Sequence, residues 1–218
     1  MNINKILFAQ LLVSGTLGFP HVMAEPVDGS QDIARESSRP LLNSQRIEKI
    51  FGNYQIEVLK NGDQFRVSDL HSLANGVRTT RTLALVTYDQ KIDQELTGEH
   101  GMIVGGQSIG EVFLAHAWVV EKENRYFGEI EASQDYAPSY AKMGDIPMTN
   151  LAVHIYELFV RKGDLRVHYA DIAEVYHPDF LELADLQAIY AEFFEENLKL
   201  DEDILNTLGL LKTAMRNI

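Results

Sequence analysis

Residues 54–69 read Tyr54-Gln-Ile-Glu-Val-Leu-Lys60-Asn-Gly-Asp-Gln-Phe-Arg-Val-Ser-Asp69. Two runs of alternating apolar and polar residues flank an Asn-Gly pair. Asn-Gly is the preferred centre of a two-residue type I′ reversal, because both central residues need positive φ. With Asn61-Gly62 as the turn, Lys60 falls opposite Asp63, Val58 opposite Phe65, Glu57 opposite Arg66 and Ile56 opposite Val67. Apolar residues then meet on one face and opposite charges mostly on the other, as a half-buried antiparallel pair requires.

Working outward, Thr79 to Tyr88 is β-branched and apolar enough for a third strand. Ala117 to Lys122 and Arg125 to Glu131 read as a second hairpin turning near Glu123-Asn124. Leu151 to Arg161 and Leu165 to Tyr176 read as a third, with Lys162-Gly163 as its turn and Arg161 facing Asp164. A short helix is expected over Ser44 to Phe51, stopped by Gly52. Another is expected over the helical spacing of Ile92, Leu96, His100, Ile103, Gln107, Gly110 and Leu114. Two more close the chain: one begins at His177-Pro178-Asp179 and carries Leu183, Leu186, Ile189, Tyr190 and Phe193 on one side, and the last runs from Asp201 to Met215. Strands joined by tight reversals are antiparallel, so the expected class is α+β, a curved antiparallel sheet built from hairpins and packed against helices.

Residues 1–24 have the layout of a secretory signal peptide: Lys5, an apolar run from Ile6 to Leu17, Pro20, and Val22-Met23-Ala24 as the cleavage site. The apolar run is too short to span a bilayer core of about 30 Å. Residues 25–43 are polar and read as a leader, and 44–218 as one α+β domain. These features predict an acidic bacterial protein, exported to the periplasm or secreted, with no transmembrane segment in the mature chain. The chain has no cysteine, which excludes disulfides and thiol chemistry. Its net charge of −13, about −14 once Lys5 is removed, repels phosphate backbones and argues against nucleic acid as a partner. No spacing of His, Asp and Glu reads as a metal site, and no motif calls for a cofactor.

The sharpest motif is Gly106-Gln-Ser108-Ile-Gly110, a G-x-S-x-G pentapeptide. Locally it resembles the nucleophile elbow of α/β-hydrolases, which implies Ser108 as a nucleophile followed downstream by an acid and a histidine. The competing reading makes the segment a helix whose glycines allow close packing on the sheet. A second candidate is the third hairpin, whose expected turn sets His154 across from Asp171, Tyr156 across from Tyr169 and Glu157 across from His168. A carboxylate beside an imidazole orients the ring and raises its basicity, as general-base chemistry requires. The stretch from Ala132 to Asn150 shows no helix or strand pattern and reads as a long loop, with Tyr136 and Tyr140 available to line a pocket beneath it. Trp118 is either core or a stacking surface for a ligand.

These residues predict a role in small-molecule binding, with Tyr136, Tyr140, Tyr156, Tyr169 and Trp118 as candidate contacts, or an accessory role beside another envelope protein through the acidic C-terminal helices. The alternative is a small serine hydrolase using Ser108, His154 and Asp171.

Overall fold

The computed structural model describes residues 41–218 apart from 63, 90, 145 and 195–199. The expected signal segment and nearly all of the leader lie outside these residues. The chain runs α1 (Asn43–Phe51), β1 (Gln55–Asn61), β2 (Phe65–Ala74), β3 (Val77–Tyr88), α2 (Thr97–Val104), α3 (Ile109–Ala115), β4 (Val119–Ile130), α4 (Ala137–Lys142), β5 (Leu151–Lys162), β6 (Leu165–Tyr176), α5 (Leu183–Ile189), α6 (Ala191–Phe194) and α7 (Glu202–Arg216). Short 3-10 turns at Gln94–Leu96 and Gln134–Tyr136 lead into α2 and α4.

The six strands form one open antiparallel sheet in the order β1-β2-β3-β6-β5-β4. Two three-strand meanders are joined where β3 meets β6, from Thr82 opposite Tyr176 to Tyr88 opposite Ala170. This is the expected α+β class. None of the adjacent pairs is parallel, so the crossover sheet of an α/β-hydrolase is not built.

Both faces are covered. On one, Val67, Leu83, Leu85, Val153, Ile155, Ala173 and Val175 pack under α4 and α7 through Tyr136, Tyr140, Ile204, Leu211 and Met215. The other, inner face carries two apolar clusters. One joins Val86, Tyr156, Leu158, Val160 and Ile172 to Ile103, Val112, Phe113 and Trp118 near α2 and α3. The second joins Leu70, Ala84, Ala152 and Tyr176 to Ile47 of α1 and Leu186 and Ile189 of α5.

Several registers differ from expectation. The β1–β2 reversal closes with the Gly62 amide donating to Phe65 O at 2.8 Å, and Asn61 lies opposite Arg66 and Lys60 opposite Val67. Leu59 is bulged, which sets Val58 against Ser68 and Ile56 against Leu70. The expected partner of Lys60, Asp63, lies outside the described residues. The pair with type I′ backbone is the other Asn-Gly of the sequence: Asn75 has φ 52° and Gly76 φ 78°, between Ala74 and its partner Val77.

The expected second hairpin is instead the single strand β4. Arg125 is bulged out between Asn124 and Tyr126, and its guanidinium bonds Glu157 and Asp201, so the charged Glu123-Asn124-Arg125 run interrupts the ladder without reversing it. In the third hairpin Lys162 faces Leu165, so the turn is Gly163-Asp164. A bulge at Tyr169 then shifts the far half of the pair, and His154 lies opposite Glu174, Tyr156 opposite Ile172 and Glu157 opposite Asp171. The stretch expected to be a loop holds α4, started by the Ser133 hydroxyl accepting from the Asp135 amide and by Pro138 in the first turn. After β6, His177 to Phe180 form a turn, and α5 starts only at Leu183 with Glu182 as its cap.

Candidate functional site

Where the two inner-face clusters part, the sheet is roofed by the start of α1 and the start of α3. Between roof and sheet lies a cavity of about 70 Å³. Leu42, Ile56, Leu70, Val86, Ile109, Val120, Leu158 and Ile172 give it apolar walls, and Asn43, Tyr54, Ser108, Lys122 and Glu174 bring polar groups to it.

Glu174 arrives there by strand alternation. Positions 172, 174 and 176 of β6 point to the inner face, so the carboxylate sits between Ile172 and Tyr176 and is 3 % exposed. Both its oxygens accept hydrogen bonds: Oε1 from Asn43 Nδ2 at 3.1 Å, and Oε2 from the Tyr176 hydroxyl at 2.7 Å. Asn43 Nδ2 also donates to Thr82 Oγ1 at 2.9 Å, which pins the first turn of α1 to β3. Burial, reinforced by the negative charge of Glu174, holds the Tyr156 and Tyr176 phenols well above their ordinary pKa, so both remain protonated donors.

Behind this group lies His154, fully buried and stacked on Phe127 with ring centroids 4.2 Å apart. Its Nε2 donates to Asn124 Oδ1 at 2.9 Å, and its Nδ1 lies 3.5 Å from the Tyr176 hydroxyl. Burial, with the positive charges of Lys122 and Arg46, pushes its pKa well below the ordinary value, so the ring is neutral. The Lys122 ammonium lies 4.3 Å from the centre of the Tyr156 ring, at the side of the cavity.

The opposite wall is set by Arg66, a fully buried arginine at the start of β2. Its Nε donates to Ser68 Oγ at 2.6 Å, and its Nη1 donates to the carbonyls of Ile103 at 2.9 Å and Gln107 at 2.8 Å. A cation on the last carbonyls of α2 is favoured by the helix dipole, and here it fixes the link between α2 and α3. That link contains the G-x-S-x-G motif. Gly106 has φ 107°, a conformation side-chain-bearing residues rarely adopt, and turns the chain so that Ser108 precedes α3. Ser108 and Tyr54 line the same cavity, and burial pushes the Tyr54 pKa up to about 12.

The residues singled out in the sequence are therefore dispersed. Ser108 follows a helix, not a strand, and is buried beside Tyr54. His154 faces Glu174 and Asn124, and Asp171 lies on the other face of the sheet, 3.3 Å from His168 Nε2. The three do not form a triad. The Tyr169 bulge is the reason, because one extra residue moves Asp171 out of register and out of the inner face.

Tyr136 and Tyr140 belong to the core under α7, the latter donating to Thr149 O at 2.5 Å. Tyr169 is buried between Phe113 and Tyr88 and meets His100 Nδ1 at 3.0 Å. Trp118 is core, with its indole N–H donating to Glu99 Oε1 at 3.0 Å. Of the candidate ligand contacts, Tyr156 lines the inner-face cavity, as does the candidate nucleophile Ser108. On α7, Leu205 and Leu210 are exposed, but five residues apart they fall on different sides of the helix and form no stripe for a partner.

Glu174, Asn43, Arg66, Lys122 and Tyr54 are not marked by the sequence patterns. One signal is present for the first: a lone carboxylate at an inward position of an otherwise apolar strand, Ile172-Ala-Glu-Val-Tyr176. No group of three or more His, Asp or Glu among the described residues is arranged to hold a metal ion. None of the helices among the described residues is long and apolar enough to cross a membrane. Comparison with protein-family models and with characterised proteins finds no match to the chain.

Proposed function

We propose that this is an exported protein that binds a compact, largely apolar small molecule in the cavity between α1, α3 and the inner face of the sheet. The observation that carries the reading is the construction of that cavity. Apolar walls surround a few convergent polar groups held by buried hydrogen bonds, the usual make-up of a small-molecule site. A packed domain of this size has no need of a buried carboxylate, asparagine and arginine on one sheet face, since burying such groups costs stability unless every bond is made. Export rests on the layout of residues 1–24.

Two measurements test this. Amide chemical shifts recorded with a panel of ring-sized hydrocarbons, alcohols and amines should move at Ser44, Gly110 and Lys122 for some members. A panel that leaves those positions unmoved overturns the reading. Cell fractionation with N-terminal sequencing should find a mature chain beginning at Glu25 outside the cytoplasm; an intact Met1 chain in the cytoplasm contradicts export.

The serine-hydrolase alternative is disfavoured because its three residues are not brought together. His154 bonds Asn124, and Asp171 lies on the other face of the sheet beside His168.

A further inference from the structure

The sequence holds two Asn-Gly pairs, at 61–62 and 75–76, and the fold surrounds them differently. We infer that Asn75 is a site of spontaneous, backbone-assisted deamidation in the native protein, ageing to aspartate and isoaspartate, while Asn61 is shielded. In this reaction the nitrogen of the following residue is the nucleophile. The Gly76 amide gives its proton to solvent, and its nitrogen bonds Asn75 Cγ. The Cγ–Nδ2 bond breaks, and ammonia leaves with a proton taken from solvent. The product is a cyclic imide between the two residues. Water then opens the imide at either carbonyl, leaving aspartate or isoaspartate. Glycine is the follower that favours the reaction, because no side chain hinders the approach of its nitrogen.

For the ring to close, the side-chain amide and the glycine nitrogen must both be free to meet. At Asn61-Gly62 both are held. Asn61 Nδ2 donates to Val104 O at 2.8 Å, and the Gly62 amide donates to Phe65 O at 2.8 Å. Asn61 is also paired with Arg66 in the ladder. Giving up two such bonds, each worth a factor of about five, lowers the reactive population on the order of ten-fold or more. At Asn75-Gly76 neither group is held. The Asn75 side chain and the Gly76 amide have no hydrogen-bond partner among the described residues, and residues 73–78 are all exposed. The Ala74–Val77 pair closes the turn from one side only. Exposed tips of this kind open locally at little cost, which frees Asn75 from its φ of 52° and lets its side chain swing to the glycine nitrogen. Isoaspartate carries the chain through the side-chain carbon and lengthens the turn by one backbone atom. The Ala74–Val77 pair is therefore the first that the modification opens.

Incubation of the full chain in mildly alkaline buffer, followed by digestion with trypsin and mass spectrometry, tests this. Cleavage after Arg66 and Arg78 isolates residues 67–78, in which Asn75 is the only side-chain amide; cleavage after Lys60 and Arg66 isolates residues 61–66. The Asn75 peptide should convert at least ten-fold faster than the Asn61 peptide. It should yield isoaspartate beside aspartate, the mark of the cyclic route. In denaturant both pairs lose their surroundings, and the two rates should converge through a rise at Asn61. Equal rates in the folded protein, or faster loss at Asn61, overturn the inference. So does an Asn75 that stays intact in the folded protein while it converts in denaturant, since the turn would then be protective. Aspartate without isoaspartate overturns the attack by Gly76. An Asn61 rate that stays low in denaturant overturns the shielding by Val104 and Phe65.

Discussion

His168 and His154 behave in opposite ways, for reasons visible at each ring. His168 sits on the face away from the cavity, between Asp171 and Asp89, whose carboxylates raise its pKa to about 9. A histidine pKa raised above the unfolded value of about 6.5 stabilises the fold fully below that pH, and the contribution is lost as the pH climbs to about 9. The stability difference between wild type and His168→Gln should therefore shrink between pH 6 and pH 10; denaturation curves showing a constant difference contradict this. His154 has the reverse sign. Its ring NMR signals should show no titration near pH 6.5, and a midpoint there would mean the ring is neither dry nor flanked by cations. Tyr176→Phe removes the 2.7 Å bond to Glu174 and is expected to cost about 1.5–3 kcal/mol in denaturant, because the carboxylate is left short of a donor in a buried site.

At the level of elements, two glycines give opposite expectations. Gly76 is in the left-handed region of the β2–β3 turn, so Gly76→Ala should destabilise by roughly 1 kcal/mol or more. Gly209 lies exposed within α7 with open space at its missing side chain, so Gly209→Ala should stabilise by up to about 1 kcal/mol. Equal signs in a melting experiment would refute the turn geometry. The same elements explain what was legible in the sequence. The antiparallel class, five of the six strands and the first and last helices follow from alternation, period and caps. Turn placement did not, because two Asn-Gly pairs compete, at 61–62 and at 75–76, and nothing local says which one carries the positive φ angles. Bulges at Leu59, Arg125 and Tyr169 are equally silent in the pattern, and each reassigns cross-strand partners. The floor of the cavity was missed for that reason: Glu174 reaches His154 only once Tyr169 is counted out of the ladder.

Across the whole molecule, the join of β3 to β6 brings the first and second meanders into one sheet and so gathers Ser68, Ala84, Tyr156 and Glu174 under one roof. The G-x-S-x-G segment serves that roof through Arg66 and the α2–α3 link. An active-site serine probe is accordingly expected to leave the protein unlabelled, and labelling lost in Ser108→Ala would reverse this assignment. The ligand reading requires that the space between α1, α3 and the sheet be open. Ala84 is buried and lines that space. Chemical denaturation of Ala84→Leu tests the claim without any ligand: a leucine filling an open cavity should leave stability unchanged or raise it by about 0.5–2 kcal/mol. A loss of about 1–3 kcal/mol, the usual cost of forcing atoms into a packed core, would contradict it.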